Sequence, residues 1–379
     1  MSKSSTIFKK LLVYKKLFFV IFAGIIISCD SPNLSQEEVL INKNSFEQRS
    51  SSLFENVEAI YIDNGLSSNC ENNILVFPSW EDFRIIADQL DEMVEIHCDE
   101  FEYSNDPGLS DEEYEAVAES IGFDEDMPLI NFENDLNFCS LRRMVYDQET
   151  DWLSQQGDGE WDVEADPDNH FIDEIERTLF NEGVEVIIGS RDDGYVLYKF
   201  FHWGHIEIHN EDYSALQSIN QTGQMPTNNP NVIVVREENN SSSGSCKGAV
   251  DHRKFFSTGS STRIKTIDKI RNPSLTFFTA PNIKAKTKYY RKKLGVWTRG
   301  KTTITAAIKG TRYVGFVANG CGSPGPVDKA KTKKRSKVKV KQTSFELSNH
   351  TLHNSLLGIH KRREDVIKNI DFYSGNVVQ

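Results

Sequence analysis

Residues 329–341 read Lys-Ala-Lys-Thr-Lys-Lys-Arg-Ser-Lys-Val-Lys-Val-Lys, with a basic residue at every odd position. Because side chains of a β-strand alternate between its two faces, this stretch predicts a strand with one strongly basic face. A second predicted strand repeats the pattern. The basic residues of the two strands are Lys329, Lys331, Lys333, Arg335, Lys337, Lys339 and Lys341, and Lys284, Lys286 and Lys288.

Three interpretations of this basic face are open. It could be a solvated face or a protected edge strand, where lysines discourage aggregation. It could bind a polyanion, such as lipopolysaccharide, an acidic glycan or nucleic acid, since groups on one strand face repeat at about 6.7 Å. It could also dock on an acidic protein surface of the same or another chain. Nucleic acid is the least favoured partner, because the stacking aromatics are only partly present, in Tyr289, Tyr290 and Trp297.

Charge divides the chain into two unequal parts. The net charge is -13, but residues 30–240 carry 9 Lys and Arg against 49 Asp and Glu, whereas residues 241–379 carry 29 against 7. A run of Asn, Ser and Gly separates them. We therefore expect an acidic domain at 73–238, a Ser-rich linker at 239–248 and a basic domain at 249–379.

Hydrophobic periodicity predicts an α+β fold. In the acidic domain, helix caps at Ser79 and Ser110 precede apolar positions at helical spacing, and a small antiparallel sheet follows from Val184 onward. A further helix is predicted from Phe171 to Leu179. The basic domain shows short alternating segments at intervals of roughly ten residues, which is typical of a sandwich or barrel.

The N-terminus has the features of an export signal. Five lysines precede an apolar stretch from Leu17 to Ile27, which is too short to span a bilayer, and Ser28-Cys29 follows. Ile26-Ile27-Ser28-Cys29 resembles the lipobox of bacterial lipoproteins. The resemblance implies a signal peptide at 1–28, cleavage before Cys29, acylation of that cysteine and a flexible tether at 29–72.

The two domains together resemble uncharacterised modular lipoproteins of the bacterial cell envelope, a resemblance that implies no known activity. We expect a membrane-anchored, non-enzymatic protein without a cofactor. Its basic domain is expected to bind an anionic glycan, lipopolysaccharide or an acidic protein surface. The leaflet and the membrane that hold the lipid remain open.

Three histidines suggest the alternative, a metal-dependent envelope enzyme. His202, His205 and His209 would share one face of a helix, within reach of zinc. The predicted strand-turn-strand instead aligns only His205, Glu207 and His209, with His202 across the turn. Surface histidines of a hairpin are therefore the favoured interpretation.

Other motifs favour structural roles. Residues 295–302 fit the phosphate-binding pattern G-x-x-x-x-G-K-[ST], but strand-like sequence on both sides predicts a hairpin. The alternating acids from Asp158 to Asp168 predict a solvated acidic loop, with calcium binding as the alternative. Among the cysteines, Cys246 and Cys321 are predicted to form a disulfide, and Cys139 a buried free thiol.

Overall fold

A computed structural model of the chain describes residues 54, 57–66, 73–191, 194–226, 228–236, 250–271, 282–314, 323–343, 350–351, 356–364 and 366–378. We call residues 54–236 the acidic half and residues 250–378 the basic half. From Phe54 onward the chain forms one compact unit, so both halves belong to the same body. The predicted signal peptide, Cys29 and the Ser-rich linker lie outside the described residues.

One sheet forms in the acidic half, and its strands follow one another in space as they do along the chain. Every neighbouring pair is antiparallel except the second and third strands, which are parallel. A parallel pair needs a long crossover, and helices supply it here. The strands are β1 (Glu58–Tyr61), β2 (Asn73–Phe77), β3 (Glu185–Ser190), β4 (Gly194–Phe201), β5 (Gly204–Ile208) and β6 (Val232–Arg236).

Five helices lie between β2 and β3, and a sixth lies between β5 and β6. They are α1 (Trp80–Tyr103), α2 (Asp111–Ser120), α3 (Met127–Asp135), α4 (Leu141–Ser154), α5 (Glu174–Arg177) and α6 (Tyr213–Thr222). The caps predicted at the first two helices are confirmed. Ser79 accepts a hydrogen bond from the Asp82 amide, and Ser110 and Glu113 form a complete capping box. None of the helices in the described part of the chain has the length and hydropathy needed to cross a membrane.

The basic half contains two sheets. In the second sheet the strand order is β10-β9-β8-β7, with β13 also on β9; in the third it is β12-β11-β15-β16-β17, with β14 on β11. The strands are β7 (Val250–Gly259), β8 (Thr262–Arg271), β9 (Asn282–Lys293), β10 (Val296–Arg299), β11 (Thr302–Val314), β12 (Ser323–Arg335), β13 (Lys337–Thr343), β14 (His350–Thr351), β15 (Leu356–Arg362), β16 (Val366–Asp371) and β17 (Val377–Val378).

The two sheets of the basic half share a hydrophobic core. Ile264 and Ile283 from the second sheet belong to the same buried cluster as Ile304 and Ile308 from the third. In the described part of the basic half, the strands do not close into a barrel. The predicted mixed α+β class is confirmed at this level.

The alternating run at 329–341 forms two strands instead of one. It bends at Ser336, so that β12 pairs with β11 of the third sheet and β13 pairs with β9 of the second. A strand that changes sheets at a bend is a common way to make a corner between packed sheets. The odd-numbered basic groups from Lys331 to Lys339, on both strands, form ion pairs with the acidic half.

Several sequence predictions need correction. The folded part begins before residue 73, because β1 and the buried residues Phe54 and Val57 lie within the predicted tether. The helix predicted from Phe171 to Leu179 is only the single turn α5.

The hairpin predicted at residues 295–302 is confirmed. Leu294 and Gly295, with φ values of 51° and 89°, form the turn between β9 and β10. Two successive residues with positive φ are typical of the turn in a tight β-hairpin. After this turn the stretch forms β10 and a two-residue link to β11, so it lacks the strand-loop-helix arrangement that a phosphate loop requires.

Candidate functional site

The interface between the acidic and basic halves collects most of the charged side chains that the sequence singled out. Eight of the ten basic residues form ion pairs with carboxylates of the acidic half. They are Lys284, Lys286, Lys288, Lys331, Lys333, Arg335, Lys337 and Lys339. Of the three interpretations, contact with the chain's own acidic surface is therefore what the structure shows for these eight.

Helix α1 supplies one side of this interface. Its acidic residues at spacings of four, four and three share one face of the helix, and the buried apolar residues lie on another. Lys339 pairs with the first of them, Arg335 with the next three, and Lys331 and Lys333 add further contacts. The four acidic residues are Asp91, Glu95, Asp99 and Glu102. A helical stripe of carboxylates thus lies against the basic face of β12 and β13.

The centre of the interface is a buried cluster around Lys265 of β8. Its ammonium lies 2.5 Å from Asp166 Oδ2 and 2.9 Å from Asp168 Oδ2. Asp168 also pairs with Arg177 at 2.9 Å and with Lys288 at 2.8 Å. Burial opposes ionisation of Asp168, but the surrounding cations, Lys265 and Lys288 foremost, hold its pKa well below its usual range. The prediction of a solvated loop is wrong for these two aspartates, which are buried.

Glu149 of α4 occupies a second buried position. It accepts a hydrogen bond from the Tyr290 hydroxyl at 2.9 Å and pairs with Arg299 at 2.5 Å. Burial alone would raise the pKa of this carboxyl, but the charges of Arg299 and Lys288 lower it to about 2. Glu149 is therefore ionised at neutral pH although it is almost fully buried.

Two further carboxylates extend the network. Lys337 lies 2.7 Å from Glu174 and 2.6 Å from Asp126, and Lys286 lies 2.5 Å from Glu174. Burial opposes the charge of Glu174, but Lys286 and Lys337 hold its pKa well below its usual range. At Lys286 the effect of desolvation outweighs the attraction of the Glu174 carboxylate, and it lowers the pKa of the ammonium to about 7.

Aromatic side chains from both halves seal one end of the interface. Trp161 of the acidic half contacts Trp297 and Tyr290 of the basic half, with ring centroids 5.0 and 5.8 Å apart. The Arg263 guanidinium lies 4.5 Å from the Trp161 ring and 5.2 Å from the Trp297 ring. Because this packing excludes water, the adjacent ion pairs operate in a low dielectric. Tyr290 and Trp297, two of the three aromatics considered for base stacking, are buried here.

A cavity of about 170 Å³ lies within the interface. The acidic half contributes residues around α3, α4 and α5, and the basic half contributes residues of β9, β10 and β13 and the loop after β10. Six cationic and six carboxylate side chains line it: Arg142, Arg177, Lys288, Arg299, Lys301 and Lys337, with Asp124, Glu125, Asp126, Glu149, Asp168 and Glu174. The lining charge is therefore balanced.

Lys329 and Lys341 differ from the other eight basic residues. Lys329 is exposed, and its ammonium donates to the Lys341 carbonyl at 3.1 Å. Neither ammonium has a carboxylate within ion-pair distance in the described part of the chain. Polyanion binding by the ten-residue face stays a prediction, and a polyanion would have to displace carboxylates of the same chain.

The histidine region is a hairpin, as expected, but the prediction of surface histidines is wrong for His205, which is buried. His205 Nε2 lies 3.4 Å from Glu207 Oε1 and His209 Nε2 lies 3.1 Å from Glu207 Oε2, whereas His202 is exposed at the turn. Among the described residues, no group of three or more His, Cys, Asp or Glu side chains is placed to hold a metal ion. The metal-dependent enzyme stays an untested alternative.

The cysteines depart from expectation in one respect. Cys139 was predicted to be a free thiol, but it is disulfide-bonded. Cys98 is free and buried, and burial raises the pKa of its thiol to about 12. The predicted pair Cys246 and Cys321 lies outside the described residues, as does Cys29.

Sequence reasoning missed several residues of this interface. Lys265, Arg263 and Arg299 lie outside the two alternating runs, and only their place in strand-like, basic sequence could have indicated them. On the acidic side, 49 carboxylates gave no reason to select Glu149, and Asp168 stood out only as the last member of the run from Asp158.

Comparisons with known proteins supply no family. No protein-family profile matches the chain, and no curated protein matches it. Among solved structures, the chain is similar to a DUF4848 family protein from Bacteroides thetaiotaomicron, with 13% identity, a TM-score of 0.19, and coverage of 83% of this chain and 100% of that one. A TM-score of this size supports no conclusion about fold or function.

Proposed function

We propose that this protein is a lipid-anchored, non-enzymatic binding protein of a bacterial cell envelope. In this proposal the basic half binds the acidic half of the same chain, and the cavity between them receives the ligand. The single observation that carries the proposal is the buried, charge-balanced interface around Lys265, Glu149 and Lys337.

The interface favours an internal partner over an external polyanion. The basic groups at its centre are nearly inaccessible to solvent, since the side chains of Lys265, Lys286, Lys288 and Arg335 expose 6% or less. An external polyanion would have to separate the aromatic cluster as well as these ion pairs. Separating one partner from a buried pair costs about 3–5 kcal/mol.

The internal partnership can be tested by cutting the chain between the halves. A specific protease site inserted within residues 239–248 would allow cleavage of the purified full-length protein. We expect the two fragments to elute together in size-exclusion chromatography at both about 0.15 M and about 1 M NaCl, because buried pairs are screened little by salt. Fragments that separate at the lower salt concentration would refute the internal partnership.

The anchor rests on the lipobox resemblance and needs its own experiment. Cells that express the full-length chain would be grown with labelled palmitate, and the protein would be followed in membrane and soluble fractions. We expect label on the wild type and on Cys98→Ala, and none on Cys29→Ala. Label that persists in Cys29→Ala would exclude this cysteine as the attachment site.

A further inference from the structure

The cavity between the halves has balanced charges that are not all paired. Five of its six cations form ion pairs with carboxylates of the acidic half. The sixth, Lys301, has no carboxylate within ion-pair distance among the described residues. Its ammonium lies 6.0 Å from the centroid of the Phe123 ring, and its backbone amide donates to Glu115.

Two lining carboxylates also lack a cationic partner in the described part of the chain. Glu125 is buried, and among the described residues its carboxylate accepts hydrogen bonds only from the Ser336 amide at 2.8 Å and the Ser336 hydroxyl at 2.6 Å. Asp124 accepts one from the Asp126 amide. Burial raises the pKa of Glu125, and Lys301 is the charge that opposes this rise most.

Cavity size limits the ligand. The volume of about 170 Å³ is close to that of an engineered cavity, about 150 Å³, that accommodates benzene in another protein. A ligand with roughly six to nine non-hydrogen atoms therefore fits in the cavity.

We propose that the cavity is a binding site for a small zwitterion, of the α-amino acid class. This inference rests on the proposed binding function and specifies its ligand. The anionic group of the ligand would interact with Lys301, and its ammonium with Glu125 and Asp124. An anion alone would face two unneutralised carboxylates, and a cation alone would face the Lys301 ammonium.

Binding can be measured on the full-length chain in detergent by calorimetry and thermal denaturation. The probes are the common amino acids, β-alanine and γ-aminobutyrate, each at up to about 10 mM, with acetate and methylamine as singly charged controls. We expect at least one zwitterion to bind and to raise Tm, since a ligand that binds only the folded state stabilises it. Acetate and methylamine are expected to bind about tenfold more weakly or worse.

Three variants locate the site. Lys301→Met and Glu125→Gln should each weaken binding of that zwitterion by about 10- to 100-fold, the effect of losing one charged hydrogen bond. Lys309→Met is the matched control, because Lys309 is exposed and lies outside the cavity lining. Its affinity should equal that of the wild type.

Two results would overturn the inference. One is the absence of heat and of any Tm change with every zwitterion, which would indicate a cavity filled by water only. The other is binding that survives both Lys301→Met and Glu125→Gln, which would place the ligand elsewhere. Palmitate labelling tests the lipid anchor, and cleavage between the halves tests their partnership. Both experiments are independent of the binding assay, so a failure of the proposed function can be distinguished from a failure of the ligand assignment.

Discussion

Lys265 and Asp168 join the two halves through an ion pair of 2.9 Å in which the side chains are 0% and 3% exposed. Asp166 shares the same ammonium at 2.5 Å. Removing such charges from water carries a penalty that their attraction only offsets when the geometry is good and the remaining hydrogen bonds are made. The shared cation also makes the contact specific, because a misaligned interface would leave Asp166 buried without its cation, whereas Asp168 would keep Arg177.

Replacing Lys265 by Met should therefore destabilise the protein strongly. The substitution keeps most of the side-chain volume but leaves Asp166 and Asp168 without their shared cation, which we expect to cost about 3–5 kcal/mol. Urea unfolding monitored by fluorescence measures the change. Lys309→Met, on an exposed strand position, should stay within about 0.5 kcal/mol of the wild type. A Lys265→Met protein of wild-type stability would show that the aspartates find other partners.

Reversing the charge of Lys337 should disrupt the interface where reversing that of Lys329 does not. Lys337 lies between Asp126 and Glu174, so a glutamate there would place three carboxylates together in a buried site. We expect a loss of more than about 3 kcal/mol, or failure to fold. Lys329→Glu changes the net charge by the same amount at an exposed position. Its free energy of unfolding should stay within about 0.5 kcal/mol of the wild-type value. Thermal denaturation of the two variants measures both effects. Equal losses of stability in Lys337→Glu and Lys329→Glu would contradict the assigned interface.

The period of two in residues 329–341 was enough to predict which side chains share a face. It correctly grouped Lys331, Lys333 and Arg335 on β12 and Lys337 and Lys339 on β13. It could not predict the bend at Ser336, because that depends on pairing with β11 in one sheet and β9 in the other. Pairing partners are set by contacts between residues far apart in sequence.

The partner of the basic face was open for a related reason. The sequence shows that the carboxylates of helix α1 recur at helical spacing. It also shows many other acidic residues in the same half, and nothing in the spacing distinguishes the ones that meet the basic strands. Whether a lysine faces solvent, a ligand or Asp91 is decided by the packing of the two halves, and a charge count does not contain that information. The short α5 shows the same limit, since the apolar spacing of residues 171–179 predicted more helix than tertiary packing allows.

Gly358 of β15 should not tolerate a side chain. A Cβ at this position would overlap the carboxylate of Asp268, which is buried and hydrogen-bonded to His360 Nε2 at 3.0 Å. Gly358→Ala should therefore destabilise the basic half by about 1–3 kcal/mol, because a packed core cannot yield at that point. Gly157→Ala, where nothing lies within 4 Å of the added carbon, is the matched control and should be nearly neutral. Equal Tm values for the two variants would mean that Asp268 moves aside at little cost.

Stability should fall in acid as the buried carboxylates take up protons. The ordinary pKa of a glutamate is 4.5, and Arg299 and Lys288, acting against burial, lower that of Glu149 to about 2 in the folded state. A carboxyl with a depressed pKa contributes stability above its unfolded pKa and loses it as the pH falls through the folded one. The contribution of Glu149, about 3 kcal/mol, should thus be lost between about pH 4.5 and pH 2.

Glu149→Gln separates this contribution from those of the other acids. The amide cannot titrate, so the variant should be less stable than the wild type at pH 7, and the difference between them should shrink as the pH falls toward 2. Urea unfolding at a series of pH values measures both curves. A difference that stays constant across this range would show that Glu149 stabilises the interface by shape and hydrogen bonding, and that its charge contributes nothing to the acid sensitivity of the protein.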